Sequence, residues 1–371
     1  MNKTEKLFRL RDIYDLSGSD ELFADAMREN VIYHYNNCQQ YKSILDRKGF
    51  DPYSIHTLKD IARLPFLTTQ YLKRHSLVTE SSEPLVTATS SGTSGKATTV
   101  GYDIPTMLND LVMCINVGKY HKLWSAVPVN YIVFGYRPDR ENTAAAAKTA
   151  YLFTFMAPAV SRTFALERVN GEYRLAPEKI IAALKRSEAS GFPLRTMGFP
   201  AYTYFFMQEL ERRKLHFKMP KGSLIALGGG WKSHYKERPE KEEFYRLARE
   251  TLGIPESRIF EFFGAAEHPI LYTDCRCHRF HIPVYSRVII RDVDTLEPLP
   301  HGNVGIVDLI TPLFTTSPLC SIVTDDLGII HDEPCPCGCK SPTIEIIGRV
   351  GASGVRTCAQ GAEKYLKEGA V

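Results

Sequence analysis

A short apolar run that ends in three consecutive glycines is the feature that most limits how this chain can fold. Residues 223–227 read as a buried strand, and Gly228, Gly229 and Gly230 follow at once. Strand-like runs such as 131–134 alternate with amphipathic helical patterns such as 177–187. Strands that alternate with helices form α/β sheets that bind ligands at the strand ends, and bare glycine backbone leaves room there for a flat ring. The sequence therefore predicts an α/β fold with a ligand site beside this glycine turn.

Length and composition bound the class of protein. The chain has 371 residues, so we expect two subdomains and possibly a third. Its formal net charge of +4 is small for this size and gives no reason to expect nucleic acid or an anionic membrane as partner. No signal peptide and no apolar run of about 18 residues is visible, so we expect a cytoplasmic protein without a membrane span.

A loop rich in hydroxyl groups follows the helical N-terminal region. Thr89 is followed by Ser90, Ser91, Gly92, Thr93, Ser94, Gly95 and Lys96, so eight residues carry five hydroxyls, two glycines and one lysine. Glycines let backbone N–H groups turn inward, and hydroxyls and an ammonium add donors, as a phosphate-binding loop requires. The spacing is not that of the mononucleotide-kinase loop. On composition alone, a polar hairpin turn explains the loop equally well.

Three further stretches favour the phosphate-binding interpretation. Phe263 and Gly264 lead into a turn that carries Glu267, an acid suited to Mg²⁺ beside a triphosphate. Asp326 offers a carboxylate for a ribose diol, and Arg349 offers a guanidinium for phosphate or ribose oxygens. Each feature alone is more often a turn or a surface pair. Their order along the chain favours a nucleotide site.

These motifs resemble those of the adenylate-forming superfamily of acyl- and aryl-CoA synthetases and firefly-type luciferases. Within it, the chain is most similar to the acyl-protein synthetases, the fatty-acid-activating subunit of the bacterial bioluminescence reductase complex. The likeness extends from the helical N-terminus to Cys358. It implies that residues 90–96 form the phosphate loop, that Phe263, Gly264 and Glu267 belong to the aromatic-Gly-x-Thr-Glu motif, and that Asp326 binds ribose.

Two departures from the superfamily pattern stand out. Ala266 occupies the position of the motif's threonine, and only 22 residues follow Arg349. The resemblance therefore implies an adenylate-forming large N-terminal domain with a small β-rich subdomain, and a C-terminal domain reduced to a short tail. We expect boundaries at 1–285 for the helical N-terminus with the α/β subdomains, 286–347 for the β-rich subdomain, and 348–371 for hinge and tail.

The tail contains Cys358, which matches the cysteine that accepts the acyl group as a thioester in the acyl-protein synthetases. A thiolate is a good nucleophile toward a mixed anhydride, and the neighbouring Arg356 is placed to lower the thiol pKa. An inert tail cysteine is the alternative.

Most of the other cysteines form a separate group. Two pairs of soft ligands, Cys275 with His281 and Cys335 with Cys337, fit a tetrahedral structural Zn²⁺. The same four positions resemble those of zinc-bearing members of the phenylacetate-CoA-ligase-like branch. Cys277, His278 and Cys339 are surplus donors, and a cluster of reduced thiols without metal is the alternative.

Together these features predict an AMP-forming ligase that uses ATP and Mg²⁺ to activate a carboxylic acid, most simply a fatty acid. Lys96 and Arg349 would assist adenylation, Cys358 would accept the acyl group, and an acyl reductase would receive it, in a possible homo- or hetero-oligomer. Phe199, Tyr202, Phe262 and Phe263 either line the acyl pocket or pack in the core. The alternatives are a phenylacetate-type acyl- or aryl-CoA ligase and a non-catalytic subunit that binds nucleotide and zinc.

Overall fold

The computed structural model describes residues 1–90, 97–137, 145–169, 172–231 and 237–349. Ten helices lie in this part of the chain: α1 Lys3–Phe8, α2 Leu16–Asn37, α3 Gln39–Arg47, α4 Leu58–Ala62, α5 Thr69–Arg74, α6 Ile104–Tyr120, α7 Ala145–Phe153, α8 Pro177–Ser190, α9 Pro200–Arg212 and α10 Lys241–Leu252. None of these described helices is both long and apolar enough to cross a bilayer.

Sixteen strands accompany the helices over the same described ranges. They are β1 Leu67–Thr68, β2 Val86–Thr89, β3 Thr99–Tyr102, β4 Val129–Phe134, β5 Ala159–Phe164, β6 Leu166–Val169, β7 Glu172–Leu175, β8 Leu194–Gly198, β9 Leu224–Gly228, β10 Ile259–Ala265, β11 His268–Thr273, β12 Phe280–His281, β13 Arg287–Arg291, β14 Gly305–Ile310, β15 Ser321–His331 and β16 Thr343–Arg349. The chain forms two compact units. The split unit combines residues 1–117 with the chain from 264 onward, and the central unit is residues 118–263.

The central unit is built on a parallel sheet in the order β10-β9-β8-β4-β5. Helices α8, α9 and α10 supply a buried apolar cluster with the strands, which includes Leu184, Phe206 and Leu247. Fully buried strands such as β4 read as continuous apolar runs because both faces of a parallel sheet are covered. The predicted alternation of strand, glycine turn and helix describes this unit.

The split unit is organised on an antiparallel sheet in the order β12-β16-β15-β14-β13. β15 is its longest strand and pairs with β14 on one side. Its other side pairs first with β1, where Leu67 faces Ile322, and further along with β16. The strands from Arg287 onward form the predicted β-rich region.

A buried ion pair lies inside this sheet. Arg291 on β13 donates from Nε to Asp308 on β14 over 2.8 Å, and the two side chains are 4% and 0% exposed. The hydroxyl of Ser321 on β15 donates to the same carboxylate, and the Arg291 guanidinium stacks over the ring of Phe66. Three adjacent strands are therefore joined by one polar cluster that lies out of contact with water.

Two polar contacts attach the N-terminal helices to the strands of the split unit. Arg287 on β13 donates to the carboxylate of Asp20 on α2 over 2.7 Å and stacks over Phe23. His34 on the same helix bonds to the hydroxyl of Thr79 over 2.7 Å and to the carbonyl of Phe314 over 3.0 Å. Burial lowers the pKa of His34 to about 4, so the ring is neutral at physiological pH.

We predict that Asp308→Ala lowers the free energy of unfolding by about 3–5 kcal/mol, because the guanidinium of Arg291 would remain buried without its partner. Urea denaturation of the purified protein measures this loss. Asp46→Ala, which breaks the exposed pair of Asp46 with Lys42, is the control and should change stability little. Equal losses for the two variants would contradict the argument.

Candidate functional site

The predicted phosphate loop is carried by the β2–β3 hairpin. Residues 91–96 lie outside the described part of the chain, whereas Ser90 lies within it. The N–H of Ser90 donates to the carbonyl of Thr98, and the Ser90 hydroxyl accepts from the N–H of Thr98 over 2.8 Å. Ser90 thus closes the neck of the hairpin below the loop, a structural task that its sequence position did not indicate.

Asp103 fixes this hairpin to the rest of the split unit. Its carboxylate caps the start of α6 by accepting from the N–H of Thr106, and it also accepts from the hydroxyls of Ser82 and Thr315. Burial works to raise the pKa of Asp103, but these hydrogen bonds outweigh it and hold the pKa below its usual value. Next to it, Thr316 donates to the carbonyl of Gly101 over 2.7 Å. We did not identify Asp103 from sequence, although an aspartate directly before a helical apolar pattern is a helix-cap signal.

The predicted ribose carboxylate and the predicted arginine are cross-strand neighbours. Asp326 on β15 lies opposite Arg349 on β16, and the Arg349 Nε donates to the Asp326 Oδ1 over 2.9 Å. Burial works to lower the pKa of Arg349, but the charges of Asp326, Asp325 and Glu267 outweigh it and raise the pKa. The pairing brings together two residues that are 23 positions apart in the chain.

Glu267 lies in the turn between β10 and β11 with 4% of its surface exposed. Among the described residues no side chain or backbone group hydrogen-bonds or pairs with its carboxylate. Its charge nevertheless acts on Arg349 and on Tyr102, whose pKa is raised by burial first and by nearby acids second. A buried carboxylate is costly without a partner, so this group is suited to a cation or to a ligand donor.

A buried hydrogen-bond network follows Glu267 directly. The His268 Nε2 lies 3.1 Å from the Ser286 hydroxyl, which is also 2.6 Å from the Tyr272 hydroxyl and donates to the carbonyl of Ile310. Burial lowers the pKa of His268 to about 3, so the ring stays neutral and Nε2 is assigned as the donor to Ser286. The network holds the first residue of β11, and with it the position of Glu267.

The three glycines of the central unit occupy the end of β9, as predicted. Gly229 and Gly230 both have positive φ, +83° and +68°. A Cβ at Gly229 would lie 2.7 Å from the ring of Phe199, whereas a Cβ at Gly230 would meet no atom of the described residues within 4 Å. Phe199 packs edge-on against Tyr202, and Phe262 packs edge-on against Phe153. Of the aromatic residues predicted for the acyl pocket, Phe199 therefore lies against Gly229, and Phe262 lies within 4 Å of a Cβ at Gly228.

The four predicted metal ligands converge in the split unit. The donor atoms of Cys275, His281, Cys335 and Cys337 all lie within 4.8 Å of one another. The His281 Nδ1 is 2.8 Å from the carbonyl of Ser341, which turns Nε2 toward the Cys337 sulfur at 3.2 Å. This carbonyl contact is the kind of outer interaction that orients a metal-bound histidine.

Backbone N–H groups donate to two of the sulfurs of this cluster. The N–H groups of Cys277 and Cys339 donate to the sulfurs of Cys275 and Cys337, each over 3.4 Å. Burial works to raise the pKa of Cys275, but hydrogen bonds from His281 and the backbone outweigh it and lower the pKa to about 6. Of the surplus donors, His278 bonds to Asp274 over 2.8 Å.

The comparisons with known proteins are consistent with this arrangement. The model of the family "Acyl-protein synthetase, LuxE" matches residues 12–366. The chain belongs to this family. It is 27% identical to the long-chain-fatty-acid–luciferin-component ligase of Aliivibrio fischeri over 91% of this chain and 87% of the relative. The corresponding ligase of Vibrio harveyi is 28% identical, over 93% and 88%.

Family membership confirms the prediction of a ligase, and the resemblance on which that prediction was based. The fold is shared with 2-hydroxyisobutyryl-CoA ligase, solved in complex with 2-HIB-AMP and CoA, at a TM-score of 0.68 and 14% identity. The match covers 92% of this chain and 72% of that structure. The predicted adenylate-forming α/β fold is therefore confirmed. Cys358 lies outside the described residues.

We predict that Gly229→Ala destabilises the protein by more than Gly230→Ala does. Both variants would carry the ~1–2 kcal/mol cost of a left-handed alanine, but only Gly229→Ala adds a clash with Phe199, worth about 1–3 kcal/mol. Thermal unfolding of the two variants side by side gives the difference, and Gly230→Ala serves as the matched control. Identical melting temperatures would contradict the tight contact with Phe199.

Proposed function

We propose that this protein activates a long-chain fatty acid with ATP as an acyl-adenylate, transfers the acyl group to its own Cys358 as a thioester, and delivers it to an acyl reductase. Membership of the acyl-protein synthetase family supports the activation step. The names of the two curated relatives support a long-chain fatty acid as the substrate and a luciferin-related partner.

The observation that carries the adenylation proposal is the pairing of Asp326 with Arg349 near Glu267, which is buried and has no hydrogen-bond partner among the described residues. A carboxylate placed by a strand accepts hydrogen bonds from both hydroxyls of a ribose, and a guanidinium beside it holds it in place and is suited to phosphate oxygens. Asp326 is 9% exposed, so a ribose hydrogen bond there would be shielded from water.

The phosphate end of ATP would lie against residues 90–96 and Glu267. Ser90 fixes the hairpin neck, and Thr93, Ser94 and Lys96 would contact the β- and γ-phosphates. Glu267 fits a magnesium ligand because its carboxylate is buried and has no hydrogen-bond partner among the described residues. Bound Mg²⁺ would neutralise phosphate charge.

In the first half-reaction the fatty carboxylate attacks the α-phosphorus, the bond to pyrophosphate breaks, and acyl-AMP forms. Arg349 and Lys96 would stabilise the charge that develops on the phosphates, and positioning by Asp326 would supply much of the acceleration. The second half-reaction begins when the Cys358 thiol loses its proton. The thiolate attacks the acyl carbonyl, the bond to the AMP oxygen breaks, and AMP leaves.

The decisive experiment incubates the protein with ATP, Mg²⁺ and a labelled long-chain fatty acid in the absence of CoA. We expect a thioester adduct on Cys358 by mass spectrometry, absent from Cys358→Ser, while the variant keeps acid-dependent ATP–pyrophosphate exchange. A product that forms only with CoA and leaves Cys358 unmodified would establish the CoA-ligase alternative. No exchange with a wide panel of acids would favour the non-catalytic subunit.

We predict that Asp326→Ala lowers kcat/KM for ATP in pyrophosphate exchange by about 10–100-fold, because a hydrogen bond to a charged group contributes about 1.5–3 kcal/mol.

Arg349→Met should reduce kcat in the same assay. The Arg349 side chain is half exposed, so the loss of its pair with Asp326 should cost only about 0–1 kcal/mol of unfolding free energy. A drop in activity matched by a comparable loss of stability would contradict a direct role.

We also propose that Cys275, His281, Cys335 and Cys337 hold a structural Zn²⁺. Four protein donors leave no open coordination position, so the ion would stabilise the fold without taking part in the reaction.

We predict that the purified protein contains about one zinc per chain and that chelation lowers its thermal stability, because metal binding energy is also folding energy. Plasma mass spectrometry of the intact protein and of Cys335→Ser measures the metal. Cys320→Ser, a buried cysteine outside the cluster, is the control and should retain zinc. Full zinc content in Cys335→Ser would contradict this ligand set.

A further inference from the structure

One face of the central unit combines exposed apolar side chains with an open sheet edge. β5 is the last strand of the parallel sheet and pairs only with β4 among the described residues. Five large apolar side chains lie around it with 40–63% of their surface exposed: Trp124, Val127, Leu152, Phe155 and Val160. We call these residues and the outer edge of β5 the β5 face.

Described contacts join the chain segments that carry the residues of the β5 face. The N–H of Ser125 donates to the carbonyl of Met156 over 3.1 Å, which links the Trp124–Val127 segment to the segment that carries Phe155. The Arg162 guanidinium on β5 lies 4.9 Å from the centre of the Phe155 ring and donates to Thr154 over 2.9 Å. The segments that carry these exposed apolar side chains thus adjoin one another, and exposed apolar groups gathered in one region mark an interaction site.

The charge of this region is strongly biased. Residues 118–166 contain six lysines and arginines against two acidic residues, a net charge of +4, which equals the net charge of all 371 residues. The rest of the chain is balanced, so the excess positive charge of the protein lies in the part of the sequence that supplies the β5 face.

A buried arginine, Arg195, adds a positive charge two strands away from β5. Arg195 on β8 is 3% exposed and donates to the carbonyl of Leu123, directly before Trp124. Register places Arg162, Tyr131 and Arg195 side by side on adjacent strands β5, β4 and β8. Among the described residues the Arg195 Nε has no hydrogen-bond partner and no carboxylate contacts the guanidinium. A buried guanidinium without a described carboxylate beside it favours an acidic neighbour.

We propose that the β5 face is the docking surface for a different protein, one that presents an extended segment with acidic and apolar side chains. Such a segment satisfies three features at once: it pairs with the open edge of β5, covers the apolar side chains, and complements the positive charge. This deepens the proposed function, because that function requires a protein that receives the acyl group.

Two other occupants fit less well. A second copy of this chain would place a region of net charge +4 against an identical region, because a symmetric dimer contact brings the same patch together with itself. An anionic membrane would match the charge and the apolar side chains, but lipids offer no regular row of donors and acceptors for the edge of β5.

The test is isothermal titration calorimetry, in which this protein is titrated with the purified acyl reductase of the same organism. We expect wild-type protein to bind, with an affinity that falls as salt rises, and Val160→Glu and Phe155→Glu to bind at least tenfold more weakly. Val304→Glu is the matched control: Val304 is 54% exposed in the split unit, and its variant should bind like wild type. Equal binding by all variants, or no binding by wild type, would overturn the proposal.

Two further measurements separate the remaining explanations. Binding to vesicles of anionic phosphatidylglycerol without binding to the reductase would overturn the proposal in favour of a membrane, and a wild-type dimer that Val160→Glu dissociates would overturn it in favour of self-association. Pyrophosphate exchange should be unchanged in Val160→Glu. If the wild-type protein shows no acid-dependent pyrophosphate exchange, the adenylation proposal is refuted. The titration with the reductase would still decide the role of the β5 face.

Discussion

The pairing of β15 with β16 is the interaction on which the candidate nucleotide site depends. At one end of the pairing Asp326 lies opposite Arg349, and at the other end His331 lies opposite Thr343. β15 holds this position because β14 and β1 bind its first residues on both sides. The bond between Asp326 and Arg349 is modest in energy because the arginine is half exposed. Its geometry, however, is imposed by a strand that is nearly buried along its length.

Polar clusters buried in the split unit fix the loops around that strand. Asp308 joins β13, β14 and β15, while Asp103 ties the β2–β3 hairpin to α6 and to Thr315. Polar groups are costly to bury, so each must be satisfied in one arrangement, and that requirement selects a single geometry. The apolar core alone would fix the loops less closely. The hydrogen bond of the neutral His268 to Ser286 likewise fixes the turn that carries Glu267.

The metal cluster and the β5 face extend this reasoning beyond the nucleotide site. β12 pairs with β16 through His281 and Thr343, so the register that orders Asp326 and Arg349 also brings the His281 loop toward Cys335 and Cys337. A zinc ion there would reinforce the same strand pairing. The β5 face belongs to the other unit and carries no predicted catalytic residue, which suits a surface that serves a partner protein.

The sequence by itself determined the α/β class, the family and the strand that ends in Gly228, and it singled out the four residues Cys275, His281, Cys335 and Cys337 whose donor atoms converge. These features are local: apolar period, glycine turns and motif order are visible within short windows. The domain boundaries at 285 and 347 and the roles of Lys96 and Cys358 stay predictions. Only the tertiary structure decided that Asp326 bonds to Arg349, that Asp103 holds the hairpin, and that β5 pairs with no strand but β4 in the described part of the chain. Each of these depends on strand register and on contacts between distant residues, which a local pattern does not encode.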